Sequence, residues 1–198
     1  MTTISTPRKI LWIVIAVLLA GIIVLRVYYS PDNKKTGLMT IGPVPEFNFV
    51  NQDSQNVTRN VFYGKVTVAD FIFTTCAGPC PLMSGKMQEL QQTFARESHV
   101  QLVSFSVDPE YDTPSILTAY STRFGAIKGK WTFLTGQKQQ MYTLIRKGFL
   151  LGVEADSTTI LHSTKFVLVD ADGIIRGYYD SEEDGSIKKL ILDIHSLL

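Results

Sequence analysis

The sequence predicts an α/β domain, a central mixed sheet flanked by helices, with an N-terminal transmembrane helix ahead of it. Segments rich in β-branched and aromatic residues alternate with segments of helical periodicity, which predicts the layered domain. The last two strand-like segments flank a short turn, which makes the sheet mixed rather than wholly parallel. Residues 10–25 read ILWIVIAVLLAGIIVL without one polar side chain, which predicts the membrane helix.

The apolar segment is long enough to cross a bilayer. Over residues 10–29 it has 20 residues, which at 1.5 Å each reach about 30 Å, the thickness of the hydrocarbon core. No small residues stand where a signal peptidase needs them, so we expect the segment to stay as an anchor. It separates a cytoplasmic leader, residues 1–9, from a polar tether, residues 30–40, and a domain over residues 41–198. Basic residues flank the segment on both sides, so this orientation rests on the short leader and on the domain that follows.

Charge and composition argue against several classes of protein. The first 29 residues hold three of the 19 basic residues and none of the 18 acidic ones, so the rest carries 16 basic residues against 18 acidic ones. Such a chain lacks the basic face by which proteins bind nucleic acid. With 11% aromatic residues and two cysteines, it is neither disordered nor a small domain held by disulfides.

The elements of the domain are predicted in order from their patterns. An extended stretch over residues 46–50 comes first. Composition then predicts strands over residues 65–74, 100–107, 131–134, 165–169 and 173–179. Helical spacing and capping residues predict a helix beside the cysteines and further helices over residues 112–124, 138–147 and 186–197. The apolar stripe of the first helix contains Met83, Met87, Leu90 and Phe94.

Two boundaries rest on particular residues. The run Asp112-Thr113-Pro114 places a capping residue ahead of a proline near the first helical position, which predicts a helix start. The run from Asp170 to Gly173 predicts the hairpin turn between the last two strands. Its aspartates resemble part of a calcium loop, but the rest of the twelve-residue pattern is absent.

The two cysteines of the chain, Cys76 and Cys80, stand four residues apart between the first buried strand and its helix. If the first helical turn includes both, their Cα atoms are about 6 Å apart, which suits a disulfide and equally a shared metal ion. A helix N-terminus lowers the pKa of a thiol, and the thiolate is both nucleophile and metal ligand. The spacing leaves both chemistries open. A purely structural disulfide is the weaker interpretation, because so short a ring constrains the unfolded chain little.

A third ligand would separate these chemistries. Two thiolates make a poor zinc site, whereas monovalent copper accepts two sulfurs and one imidazole. His162 is the natural candidate, since it lies just before a predicted strand, where an α/β sheet collects its ligands. His99 follows a charged helix end and His195 lies in the last helix. Nothing in the spacing alone brings His162 to Cys76, and a single histidine is more often solvated than a ligand.

Three other residues have two interpretations each. Met83 and Met87 carry thioether sulfurs, but their place on the apolar stripe favours core packing over copper ligation. Asp108 follows the second strand, where it either orients the metal ligands without binding the metal itself or forms a turn before Pro109.

The run from Asp70 to Met83, DFIFTTCAGPCPLM, closely resembles the active-site signature of the Sco/SenC family, the membrane-anchored, thioredoxin-like copper proteins of cytochrome oxidase assembly. Residues 106–114, 162–170 and 172–178 match further stretches of that family in order. The resemblance covers roughly residues 44–198 and includes the anchor. Ala77 stands where the family often has proline, which changes the loop but not the ligands.

The resemblance implies a thioredoxin-like fold and a copper site formed by Cys76, Cys80 and His162, with Asp108 as a supporting residue. It implies a copper chaperone on the extracytoplasmic, periplasmic side of the inner membrane, held by a single span. The resemblance implies that the protein delivers copper to the dinuclear copper centre of cytochrome c oxidase subunit II. A copper donor protein or a thiol-disulfide reductant would be a further partner.

An enzymatic alternative uses the same cysteines. As a thiol-disulfide oxidoreductase, the protein would use Cys76 and Cys80 as a redox-active pair to reduce the oxidase subunit or other extracytoplasmic targets. Thioredoxins usually have two residues between their cysteines, whereas this chain has three. A peroxiredoxin fits less well, because Phe73 replaces that family's threonine. Copper delivery and thiol reduction can coexist, since the cysteines must be reduced before copper enters.

Overall fold

The computed structural model describes residues 11–12, 14–22, 37–151 and 163–198. Residues 11–12 and 14–22 are helical and belong to a first compact unit, Met1–Gly37, while Leu38–Leu198 form a second. Within the described ranges, no helix combines the length and the apolar character that a membrane span requires. The expected leader lies wholly, and the expected anchor partly, outside the described residues.

The described residues of the second unit form one eight-stranded sheet in the order β1-β8-β7-β4-β5-β6-β2-β3. Its strands are β1 (Gly42–Pro43), β2 (Asn48–Asn51), β3 (Asn56–Thr58), β4 (Val66–Ile72), β5 (Val100–Ser106), β6 (Trp131–Thr135), β7 (Lys165–Val169) and β8 (Ile174–Asp180). β4, β5 and β6 pair in parallel, and the other pairs are antiparallel. The predicted mixed sheet is confirmed.

Helices and turns of the described chain connect these strands. The α-helices are α1 (Cys80–Thr93), α2 (Pro114–Arg123), α3 (Lys138–Thr143) and α4 (Ser186–Leu197). A short 3-10 helix covers Arg59–Phe62, and a π-helix, Leu144–Gly148, continues α3. The hairpin turn between β7 and β8 is as predicted, with Gly173 in the left-handed region at φ 75°.

Burial explains why the central strands read as continuous apolar runs. Every residue of β4 and β5 is buried, because helices and loops cover both faces of the middle of the sheet. The stripe on α1 is buried too, so its methionines pack in the core as predicted. The buried members of that stripe are Met83, Met87, Leu90 and Phe94.

The helix start predicted at Asp112-Thr113-Pro114 is confirmed, since the N-cap of α2 is Thr113, whose hydroxyl accepts a hydrogen bond from the Ile116 amide at 3.5 Å, and Pro114 is the first helical residue. Two local features differ from the sequence-based expectations. The helix expected to reach Lys147 turns into a π-helix after Thr143. The edge strands β1 and β3 were not predicted, because two or three residues show no periodicity.

Gly136, directly after β6, is a tightly packed position of the core. A Cβ there would overlap the ring of Phe49, which cannot move aside because it stacks on Phe47 at 5.1 Å and meets Phe105 at 6.3 Å. We expect Gly136→Ala to destabilise the domain by about 1–3 kcal/mol, measured by denaturant unfolding of the purified protein.

Gly85, inside α1, provides the matched control. A Cβ at Gly85 would meet nothing within 4 Å, so Gly85→Ala should leave stability unchanged or raise it by up to about 1 kcal/mol through helix propensity. Equal unfolding free energies for the two variants would contradict the close packing of Phe49 on Gly136.

Candidate functional site

The two cysteines meet where β4 ends and α1 begins. Cys76 lies in the connecting loop, where its amide donates to the Phe73 carbonyl at 3.2 Å, and Cys80 is the first residue of α1. The first helical turn therefore includes only one of them. Both are free thiols, 8% and 3% exposed, and the Cys76 side chain lies near enough to Cys80 to help raise the pKa of the Cys80 thiol. The spacing of four thus does bring the two cysteine side chains close to each other.

Burial controls the protonation of Cys80. Desolvation raises its pKa to about 12, and the Cys76 side chain and the charge of Asp70 act in the same direction. A hydrogen bond to the backbone of Phe73 opposes this rise. The expectation that the helix N-terminus lowers the thiol pKa is wrong for Cys80, because removing the sulfur from water outweighs the helix dipole. At neutral pH Cys80 is a thiol, and it gives up its proton when a metal or a sulfur–sulfur bond replaces it.

A buried carboxyl group lies in the sheet below the pair. Asp70 of β4 has no exposed surface, and neither of its oxygens meets a hydrogen-bond donor in good geometry within the described chain. Burial raises its pKa to about 7, although the Ser104 hydroxyl on the neighbouring strand works against the rise. Asp70 was not predicted to be a site residue. An acidic residue amid the apolar run of this strand was the available signal.

Tyr120 connects the helices beside the cysteines. Its hydroxyl lies 2.9 Å from the Ser84 hydroxyl, which joins α2 to α1 in a buried position. Burial raises the pKa of Tyr120, and the charges of Asp70 and of both cysteines raise it further. These groups therefore share one poorly solvated region, in which their uncharged forms are favoured.

Asp108 begins a turn next to the cysteine loop. Its amide donates to the Ser106 hydroxyl at 3.1 Å, and its carbonyl accepts from the amides of Tyr111 at 3.1 Å and Asp112 at 2.9 Å. These backbone bonds agree with the interpretation of Asp108 as a turn residue. No contact of its carboxylate with a cysteine is present among the described residues, so a supporting role remains a proposal.

Asp112 is a buried acid whose hydrogen bonds were not predicted from the sequence. It receives hydrogen bonds from the Thr74 amide, the Thr74 hydroxyl and the Ser106 hydroxyl. Burial raises the pKa of Asp112, and the Ser106 and Thr74 donors oppose the rise. The two donors of Thr74 were not detectable from sequence, since Thr74 is 38 positions away.

The histidines divide into one outside the described residues and two that are far from the cysteines. His162 is the former. His99 lies at the start of β5, with Nδ1 3.4 Å from the Gly64 carbonyl, and His195 packs on Phe94 at a ring distance of 5.1 Å. His99 lies beside the start of β4, whereas Cys76 follows its end. His195 packs at the C-terminal end of α1, whereas Cys80 is its first residue. The length of each element therefore puts about 20 Å between histidine and cysteine. Within the described ranges, no three His, Cys, Asp or Glu side chains could together hold a metal ion.

Comparison with known proteins agrees with this geometry. The SCO1/SenC family model matches residues 40–198. The SCO1 protein homolog of Bacillus subtilis is 35% identical over 157 residues, which cover 77% of this chain and 81% of that protein.

Two solved structures are similar in fold and sequence. A SCO1/SenC family lipoprotein from Bacillus anthracis has a TM-score of 0.72 at 33% identity and covers 79% of this chain and 95% of its own. BsSco, described as a Sco family cytochrome c oxidase assembly protein with a disulfide switch, has a TM-score of 0.71 at 33% identity. The match covers 81% of this chain and 95% of the BsSco chain.

The pKa of Asp70 predicts a pH-dependent stability. Because this pKa is raised from 3.8 to about 7, the folded protein holds a proton that the unfolded chain releases. The stability from this proton is complete below about pH 4 and is lost as the pH rises to 7. Asp70→Asn has no titrating group at this position. The unfolding free energy of the variant minus that of wild type should therefore rise by up to about 1.4 kcal/mol per pH unit between pH 5 and 7.

The measurement is denaturant unfolding of both reduced proteins from pH 5 to 8.5. The difference in unfolding free energy between the two proteins should become constant above pH 8. A difference that is constant with pH would show that Asp70 does not hold a proton in the folded state.

Proposed function

The chain belongs to the SCO1/SenC family, and we propose that it is a membrane-anchored copper chaperone. Cys76 and Cys80 hold the copper ion as its cargo, and His162 completes the ligand set. The observation that carries this proposal is the pair of buried, free thiols that lie close to each other at the end of β4. The target is the dinuclear copper centre of cytochrome c oxidase subunit II during oxidase assembly, as the family resemblance implies.

The donor set suits monovalent copper. Thiolates are soft ligands that select Cu(I), and a third, weaker imidazole ligand completes a three-coordinate site. The raised pKa of Cys80 means that copper must displace a proton to bind, so loading releases protons to solvent. Burial of both sulfurs supports retention of the cargo, because little water reaches the site to compete.

Transfer to a partner is proposed to proceed by ligand exchange. The His162 bond opens first, since imidazole holds Cu(I) less strongly than the thiolates do. A thiolate of the receiving subunit takes the freed position, and Cys76 and Cys80 then leave and regain protons. A raised thiol pKa favours this last step, because it makes reprotonation of Cys80 favourable at neutral pH.

The proposed location is the extracytoplasmic side of the inner membrane, with one span over residues 10–29. In the first unit, the described helical residues expose large apolar side chains, among them Leu11, Trp12 and Leu18 at 58%, 70% and 61%. Lipid would cover such a surface. A copper donor protein and a thiol-disulfide reductant are the further partners proposed, since the site must be reduced before it is loaded.

Thiol-disulfide exchange is the second candidate function. The proximity of Cys76 and Cys80 supports it, because a disulfide forms only between neighbouring sulfurs. The disulfide switch attributed to BsSco, 33% identical to this chain, supports it as well. In this function one cysteine attacks a target disulfide and the other resolves the mixed disulfide.

His162→Ala separates the two functions. A disulfide needs only Cys76 and Cys80, whereas the proposed copper site also needs an imidazole. We expect wild type to bind one copper ion per chain and His162→Ala to lose at least about 100-fold in affinity, equivalent to about 3 kcal/mol. Disulfide formation should stay intact. Competition with a calibrated chelator under anaerobic conditions measures the affinity.

The matched controls are His99→Ala and His195→Ala. His99 lies beside the end of β4 that is far from the cysteines, and His195 packs at the far end of α1. Both should bind copper as wild type does. If His162→Ala keeps wild-type affinity, or a control loses it, the ligand set is wrong and thiol-disulfide exchange becomes the leading function.

The proposed topology predicts the outcome of a reporter fusion. Alkaline phosphatase is active only outside the cytoplasm, where its disulfides form. Joined after Leu198 of the full chain, it should be active. An inactive phosphatase, together with an active cytoplasmic reporter at the same place, would reverse the topology.

A further inference from the structure

Asp112 ties the cysteine loop to the end of β5. It has no exposed surface, and its two oxygens accept from the Thr74 amide at 3.3 and 3.1 Å and from the Ser106 hydroxyl at 2.6 Å. The Thr74 hydroxyl donates to it as well. Thr74 lies inside the turn that the amide of Cys76 closes on Phe73. The carboxylate therefore holds that turn from within.

The same residue holds the neighbouring loop. Ser106, which donates to Asp112, accepts from the Asp108 amide at 3.1 Å, and the Asp112 amide donates to the Asp108 carbonyl at 2.9 Å. The residue after Asp112 is the N-cap of α2. One buried side chain thus connects the ends of β4 and β5 with the start of a helix.

These contacts exceed what a turn or a helix cap requires. Thr113 caps α2 in its place, and backbone bonds alone close the turn at Asp108. A buried carboxylate is costly unless donors surround it, and here the donors come from the cysteine loop and from β5. Loss of the carboxylate would free Thr74 and, two residues on, Cys76.

We propose that Asp112 is a positioning residue that holds Cys76 within reach of Cys80 and thereby sets the thiol-disulfide equilibrium of the pair. The inference deepens the proposed function and rests on the cysteine pair being its site. Asp112 acts through Thr74 and touches neither sulfur among the contacts of the described chain.

The reaction that reports on Asp112 is exchange with glutathione disulfide. The Cys76 and Cys80 thiols lose two electrons and two protons, and a bond forms between their Sγ atoms. The disulfide bond of the oxidant breaks, and two glutathione thiols take up the electrons and protons. A looser loop lowers the effective concentration of one cysteine sulfur at the other, so the protein disulfide becomes less stable relative to glutathione.

The experiment measures this equilibrium for the full chain, purified in detergent and free of metal, across a series of glutathione ratios. We expect Asp112→Ala to lower the equilibrium constant for disulfide formation about tenfold, equivalent to about 30 mV. Thr74→Val, which keeps the amide but loses the hydroxyl donor, should lower it less. Thr74→Ser restores the hydroxyl and should return the constant to the wild-type value.

Asp170→Ala is the control for a merely structural effect. Asp170 is a buried acid that accepts from the Asp172 and Ile174 amides at 3.0 and 2.9 Å and pairs with Arg176 at 3.0 Å. It follows Val169, which pairs with Thr67 near the opposite end of β4 from the cysteines. Its variant should lose stability in thermal unfolding and keep the wild-type equilibrium constant.

The outcomes separate the two proposals. Wild type reports on the cysteine pair itself, and only differences between variants report on Asp112. If Asp112→Ala loses stability but keeps the wild-type equilibrium constant, the positioning role is wrong. If Asp112→Ala does not fold, the threonine variants decide, and equal constants for Thr74→Val and Thr74→Ser overturn the inference.

Discussion

β4 and β5 pair in parallel along their whole length, from Val66 opposite Val100 to Ile72 opposite Ser106, and this pairing places both of their following loops at one edge of the sheet. One loop carries Cys76 and leads into α1 at Cys80, and the other carries Asp108 and Asp112. Apolar burial on both faces maintains the register, because a slip would move buried side chains out of their places. The site therefore depends on the hydrophobic core for its geometry.

The polar groups buried next to that edge differ in whether hydrogen-bond donors surround them. Asp112 is surrounded by donors and orders the backbone around it. Asp70 has no donor in good geometry among the described residues, and its pKa rises to about 7. Cys80, which is also desolvated, keeps its proton until another bond to sulfur forms. In such a region a thiol stays protonated unless a metal ion or a second sulfur takes the place of its proton.

The two proposed functions share these properties. Copper retention and disulfide formation each need Cys76 and Cys80 close together, and each requires the proton of Cys80 to leave. They differ in the third ligand, since only copper requires His162. A residue that positions Cys76 would affect both, which makes the thiol-disulfide equilibrium a measure of loop geometry that does not involve the metal.

Local patterns in the sequence determined most of the elements, since the strands β4, β5 and β7 and the helix α4 follow from composition and periodicity. The spacing of Cys76 and Cys80 likewise determined that their side chains would lie near each other. Only the tertiary structure decided the raised pKa of Cys80 and the role of Asp112. Both depend on neighbours distant in sequence, because desolvation and hydrogen bonds across 38 positions arise only when the strands and helices pack.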